Sequence, residues 1–341
     1  MKRGLALIVA VAAALGAVAA AGAKSNDTQL TGAGSSLVAP LVSQWVAPVG
    51  RAFGYSLQYS SVGSGAGIAA ISSRTVDFGA SDAPLTPDQA AACKGCVQIP
   101  WALSATTLSY NVPGTPNDLH LTGAVIAKIY LGTITSWNDP AIRALNPKLS
   151  LPNLKITPVF RSDGSGDTYA FTDYLSRVSA AWKSKVGNAT AVQFPAGLGG
   201  KGNSGVAGVI AKTSGAIGYI SAAYTLSNHL RVAAVKNASG FYATPGLRGI
   251  AAAAALVKSV PANNEMHIVN PPKGAKLAYP ISTFTYVIVS QQSSHAAELR
   301  KFIFWALTQG QQKQFTARLI FAPLPKVVLV AAEKTLKTIH T

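Results

Sequence analysis

Acidic residues are scarce in this chain, where twelve Asp and Glu stand against 29 Lys and Arg in 341 residues. The surplus, a formal charge of +17, points to anionic surroundings or ligands. The cations are scattered singly, however, with neither a basic run nor an RNA-binding aromatic signature, which argues against nucleic acid. The five histidines, at 120, 229, 267, 295 and 340, show no metal-ligand spacing. Only two cysteines occur, Cys93 and Cys96, and in an oxidising compartment they are expected to close one short local disulfide. A redox role would need the pair at a helix start beside a strand, which the flanks do not show. After residue 23 no stretch is long and apolar enough to span a bilayer.

Residues 1–23 stand apart. Lys2 and Arg3 precede an apolar run from Leu5 to Ala21, and Ala21-Gly22-Ala23 has the small residues of a cleavage site. This reads as a secretory signal peptide, with a membrane anchor as the alternative. Its removal takes Lys2 and Arg3 and lowers the charge from +17 to +15. The remaining chain is expected to be soluble and exported. Few carboxylates also suit an acidic exterior, where such groups protonate.

The residues that are present in a pattern begin with Arg161-Ser-Asp-Gly-Ser-Gly-Asp-Thr168. An apolar strand, Ile156–Phe160, precedes them. Tyr169, Phe171, Tyr174, Leu175, Val178 and Trp182 follow at helical spacing. A glycine-rich strand-to-helix turn leaves unpaired amides that can cradle an anion, and Arg161 adds a bidentate positive fork. A capped helix with Arg161 and its acids paired is the plainer reading. Two similar turns occur earlier. Ser36 stands where a helix N-cap belongs, after Gly32 and Gly34 and before Leu37, Leu41 and Trp45. Ser64 follows the strand Tyr55–Ser60 and opens a further helix. Neither matches a nucleophile elbow or a dinucleotide fingerprint. Asp82 lies at the exit of a third short strand, either capping its turn or pointing into a cleft. Asp77, Asp82, Asp163 and Asp167, four of the twelve acids, all fall within these motif segments.

Taken in order, Thr31-Gly-Ala-Gly, Val62-Gly-Ser-Gly, Val76-Asp-Phe-Gly-Ala-Ser-Asp-Ala-Pro-Leu85 and Arg161-Ser-Asp-Gly-Ser-Gly resemble the periplasmic phosphate-binding proteins of Pst-type ABC importers. So do Gly197–Asn203, Gly215-Ala-Ile-Gly-Tyr219, Tyr279-Pro-Ile281, Phe302–Ala306 and Leu324-Pro325. The resemblance implies an α/β, two-lobed periplasmic-binding-protein fold of type II, with the ligand in a cleft between lobes joined by two crossing strands. It implies phosphate held without metal or cofactor by Ser36, Leu37 (through its amide), Ser64, Asp82, Arg161, Ser165 and Gly166. Asp167 stands where the family usually has Thr or Ser. Asp163 would brace Arg161, and Gly197–Asn203 would shape the cleft wall. Leu108–Val112 and Phe284–Val289 are the expected crossing strands, so lobe I is 24–111 with 282–341 and lobe II is 112–281. A helix and turn expected over Thr122–Trp137 and an alanine-rich helix near Ala251–Val260 belong to the second lobe.

The expected function is high-affinity binding of phosphate by a periplasmic monomer and its delivery to membrane permease subunits, without catalysis. The buried carboxylate is the source of selectivity, since Asp82 accepts a hydrogen bond only from an oxyanion that carries a proton. Phosphate and arsenate do so at neutral pH and sulfate does not, a mismatch worth about 10⁴–10⁵ in affinity. If Asp167 also faces the ligand, two acceptors favour the monobasic ion; otherwise it caps its own helix. The rival readings are another oxyanion, a surface-interaction protein that keeps the fold, or a secreted phosphate-ester hydrolase using Ser64 or Ser165.

Overall fold

The structure, a computed structural model, describes residues 28–341. The expected signal peptide therefore lies outside the described residues. The strands are β1 (Gln29–Gly34), β2 (Ser56–Ser61), β3 (Phe78–Ser81), β4 (Cys96–Asn111), β5 (His120–Leu121) and β6 (Thr157–Arg161). They continue with β7 (Leu198–Gly200), β8 (Ala216–Ser221), β9 (Arg231–Val232), β10 (Ala234–Lys236), β11 (Tyr242–Ala243) and β12 (Ser282–Ser290). One nine-stranded sheet has the order β2-β1-β3-β12-β4-β8-β6-β7, with β9 on β4, and β11-β10-β5 form a small second sheet.

Two parallel units make up most of the large sheet. β1 pairs with β2 and β3 in parallel, and β6 pairs likewise with β7 and β8. Parallel neighbours need crossovers, and helices supply them. The helix Ala39–Phe53 buries Leu41, Val42, Trp45 and Val49, the stripe read from its spacing. The helix Gly166–Val178 buries Ala170, Phe171, Tyr174 and Leu175 in the same way. Each crossover helix starts where a strand ends, so helix N-termini from both units collect at the carboxyl edge of the sheet.

β4 joins the two units. Its residues 96–105 pair with β12 and its residues 106–111 pair with β8, so the strand passes from one half to the other at Ala105–Thr106. β12 pairs with β3 and β4. Gln98–Tyr110 is buried without a break, as a strand covered on both faces must be. Pro100 has no amide to donate, and the ladder shifts register beside it, between Thr285 and Tyr286. That irregularity absorbs the proline and lets the Trp101 indole donate to Thr285 Oγ1 at 2.7 Å.

Local boundaries differ from expectation. β4 crosses at Ala105–Thr106, ahead of the expected Leu108–Val112, and Phe284–Val289 pairs only within the first half, because its ladder partners are β3 and residues 96–105 of β4. The first helix starts at Ala39 with Val38 at its N-cap, and no side chain caps it. Ser36 is thus not the cap; the Ser35 hydroxyl accepts from the amides of Leu37 and Val38 instead. The alanine-rich helix runs Leu247–Ala254, about a turn earlier than expected, because Ile250, Ala253 and Ala254 are the residues that reach the core. The helix expected after Thr122 is Gly123–Tyr130, capped by that threonine. Cys93 and Cys96 are joined by a disulfide, and the Arg74 guanidinium donates to the carbonyls of Cys93 and Lys94 within that loop. No helix of the described residues is long and apolar enough to cross a membrane.

Candidate functional site

The carboxyl ends of β1, β3, β6 and β8 meet above Thr106 of β4, and all the expected site residues are brought together there. None of Ser36, Leu37, Ser64, Asp82, Arg161, Ser165 and Asp167 is more than 5% exposed. Hydrogen bonds stitch the halves across this crevice. Gly65 N donates to the Gly164 carbonyl at 3.0 Å. Ser64 Oγ, at the start of its helix, accepts from the amide of Gly166 at 3.0 Å and from that of Asp82 at 3.3 Å. Gly166 has to be glycine here, since a Cβ would sit 2.4 Å from Cβ of Asp82.

The basic side chain is held rigidly. Arg161 Nε donates to Asp163 Oδ1 at 2.8 Å and Nη2 to Oδ2 at 2.5 Å, a fork-to-fork pair. Its third nitrogen, Nη1, reaches Asp167 Oδ2 at 3.1 Å. Asp163 also accepts from the amide of Gly202, at 2.9 Å. Burial alone would raise the Asp163 carboxyl, but the guanidinium overrides it and holds the group below the ordinary carboxylate range. The same ion pair outweighs burial at Arg161 and keeps it charged. Ser165 caps the helix Gly166–Val178 by accepting from Thr168 N at 3.3 Å.

Asp167 is turned into the crevice. Its Oδ1 accepts from Thr106 Oγ1 at 2.7 Å, and Oδ2 accepts from Asn203 Nδ2 at 2.7 Å as well as from Arg161. Asp82, from the other half, takes the Ser35 hydroxyl at 2.6 and 2.7 Å from its two oxygens. Burial first and the charge of Asp167 second push the Asp82 carboxyl up to about 8, against hydrogen bonds from Ser35 and Ser64 and the pull of Arg161. Burial raises Asp167 too, against Arg161, Thr106 and Asn203.

These shifts have a consequence for the ligand-free protein. A carboxyl whose folded value lies above its unfolded value of about 3.9 binds a proton on folding, so its stabilisation is complete below that value and fades as pH rises. The window set by Asp82 ends near 8. Asp163 acts in the opposite sense, and only below its ordinary range. The Asp82 value belongs to the closed arrangement, so in phosphate-free buffer the closed form should give way to the open one, with Asp82 hydrated, as pH rises from about 5 to 8, read as a growing radius of gyration by small-angle scattering. Asp82→Asn should flatten that dependence, and an unchanged one would show that another group sets it.

Sequence reasoning missed four residues of the site. Ser35 positions Asp82, and Thr106 positions Asp167. Tyr219 Oη accepts from the amide of Arg161 at 2.9 Å and shares a hydrogen bond with Thr168 Oγ1 at 2.7 Å. Asn203, expected only to shape the cleft wall, donates its side-chain amide to Ser36 Oγ at 2.9 Å and to Asp167, and accepts from Ser221 N at 2.8 Å.

A family model described as a PBP superfamily domain matches residues 19–309. Among curated proteins, the phosphate-binding protein PstS of Xylella fastidiosa (strain 9a5c) is 40% identical over 306 residues, spanning 89% of this chain and 83% of that protein. The protein of the same name from Pasteurella multocida (strain Pm70) is 36% identical over 91% of this chain and 90% of its own length. The chain belongs to the PstS family of phosphate-binding proteins. The fold is also that of a high-affinity periplasmic phosphate-binding protein solved bound with phosphate, at a TM-score of 0.72 and 20% identity over 90% of this chain and 93% of the other.

Proposed function

We propose that this protein binds inorganic phosphate in the crevice and delivers it, as an exported periplasmic monomer freed of residues 1–23, to the permease subunits of an ABC importer. One observation carries the reading: Asp82 from the first half and the Arg161–Asp167 pair from the second lie in one buried crevice lined with hydroxyls and helix-start amides. An anion there is drawn by a full guanidinium charge and by helix N-termini, each equivalent to roughly half a charge. The hydroxyls of Ser36, Ser64 and Ser165 replace its hydration, joined by the amides of Leu37 and Gly166, which exchange the Ser35 and Ser64 hydroxyls they meet here for the ion. Asp82 and Asp167 are the acceptors that require protons on the ligand. The two halves act as the lobes, with β4 passing between them at Ala105–Thr106 and not at the expected 111–112, and they separate to admit the ion.

Inorganic phosphate supports the geometry better than a phosphate ester does. Ser64 and Ser165 accept hydrogen bonds from backbone amides, and neither is paired with a histidine or lysine that would activate it as a nucleophile. The test is competition for radiolabelled phosphate. Arsenate should displace it and sulfate should not, and the affinity should hold or improve on acidification to about pH 5–6, as two carboxylate acceptors demand. Failure of labelled phosphate to bind at all, or displacement by sulfate at neutral pH, would refute this assignment.

A further inference from the structure

Between Asp173 and Glu265 the sequence holds no acid, and between Glu265 and Glu298 there is again none. Part of this acid-free chain folds into a projection beside the small sheet. In the loop after β10 the Asn237 side chain accepts from the amides of Ser239 and Phe241 and turns the chain back into β11. The loop 272–278 is fastened to it. Asn237 Nδ2 donates to the carbonyls of Lys276 and Ala278, at 3.0 and 3.1 Å, and Gly274 N donates to Ser239 Oγ at 3.0 Å. The start of the helix Leu247–Ala254 is tied in as well, because Tyr279 N donates to the Gly249 carbonyl. Gly240 and Gly274 mark the tips: their φ angles are 87° and 103°, and nothing lies within 4 Å of where a Cβ would stand.

Three large apolar side chains cover this projection, with Phe241 50%, Leu277 51% and Leu247 37% exposed. Lys236, Arg248, Lys273 and Lys276 are exposed among them. Lys276 Nζ lies 5.9 Å from the centre of the Phe241 ring, and Lys236 Nζ lies 5.7 Å from that of Tyr242. The acid nearest in sequence to this sheet is Asp118, just before β5. A single exposed leucine needs no explanation. Apolar tips on two fastened loops, ringed by cations, have the composition of an interfacial anchor: the tips enter the acyl boundary while the amines meet headgroup phosphates. Nucleic acid fits less well, because His120 already stacks on Tyr242 with ring centres 3.8 Å apart and Lys276 covers Phe241, occupying faces that bases would need. We infer that this projection docks the protein on an anionic phospholipid bilayer.

The test is co-sedimentation of the mature chain at low salt with vesicles of equal parts phosphatidylglycerol and phosphatidylcholine, beside vesicles of phosphatidylcholine alone. The protein should pellet with the first and stay in solution with the second. Lys273→Ala and Lys276→Ala should each weaken the binding about five-fold. Phe241→Ala with Leu277→Ala should weaken it further while the protein melts with the wild type. Lys183→Ala with Lys185→Ala, which removes the same charge from another exposed helix, should leave binding nearly unchanged. No pelleting with the anionic vesicles would overturn the inference, and so would an equal loss in the Lys183/Lys185 control. Retention on protein-containing membranes but not on protein-free vesicles would mean a protein partner and would likewise overturn it.

Discussion

Replacing Asp82 by Asn should make the protein accept sulfate. The site residues are nearly inaccessible, so any ion must enter while the halves are apart and Asp82 is hydrated, with its carboxyl near the ordinary value of about 3.9. Closing around phosphate is balanced, because the ligand supplies the proton that Asp82 needs to accept. Closing around sulfate at pH 7 requires a proton from solvent for a carboxylate that ionises about three pH units lower. At 1.36 kcal/mol per unit this is a handicap of about 4 kcal/mol, or about 10³ in affinity. That is somewhat below the 10⁴–10⁵ that a wholly mispaired site can impose. The sign follows directly: sulfate binding takes up a proton, so it should strengthen about tenfold for each unit of acidification down to about pH 4. Asn carries both a donor and an acceptor at every pH, so Asp82→Asn should lose the discrimination and its pH dependence together. Competition titrations at several pH values read both quantities. Sulfate rejection that is strong and flat with pH in the wild type would mean that shape or charge, and not proton matching, selects the ion.

Arg161→Ala should abolish phosphate binding and destabilise the protein as well. The guanidinium makes three hydrogen bonds to two carboxylates, and removing one partner of a buried ion pair costs about 3–5 kcal/mol because the other charge is stranded. The destabilisation should be largest at neutral and alkaline pH and should shrink in acid, where Asp163 and Asp167 can protonate. Arg161→Lys keeps the charge but not the fork, and should weaken phosphate by about 1.5–3 kcal/mol, the worth of a charge-assisted contact. Isothermal titration for affinity and thermal melting across pH separate the two effects. Wild-type affinity in Arg161→Ala would remove this side chain from the site altogether.

The residues that sequence reasoning singled out and the structure gathers in the crevice share a local signature. Ser64, Asp82, Arg161, Ser165 and Gly166 each sit at a strand exit where small residues and a new helix start are visible within a few positions. The residues it missed lack one. Thr106 lies inside the long apolar run of β4, and only the change of strand partners at that point makes it a site residue. Ser35 and Ser36 are adjacent, and which of them turns toward the helix amides depends on backbone angles that spacing does not report. Asn203 closes a glycine-rich stretch whose flexibility obscures where its side chain goes. Tyr219 entered only as the end of a short motif, and its hydroxyl gains meaning only from the Arg161 amide it accepts from. The apolar spacing was legible because burial enforces it along a single element, whereas contacts between the halves depend on how two distant segments are brought together.

β4 supplies ladder partners to both halves, so a swing about Ala105–Thr106 would leave its own ladders intact. The barrier to letting an ion go is then set by the few bonds across the seam, such as Gly65 with Gly164, and not by the cohesion of the sheet. Durability against unfolding and the rate of cargo release are therefore separately adjustable in this molecule, and selection on one need not compromise the other.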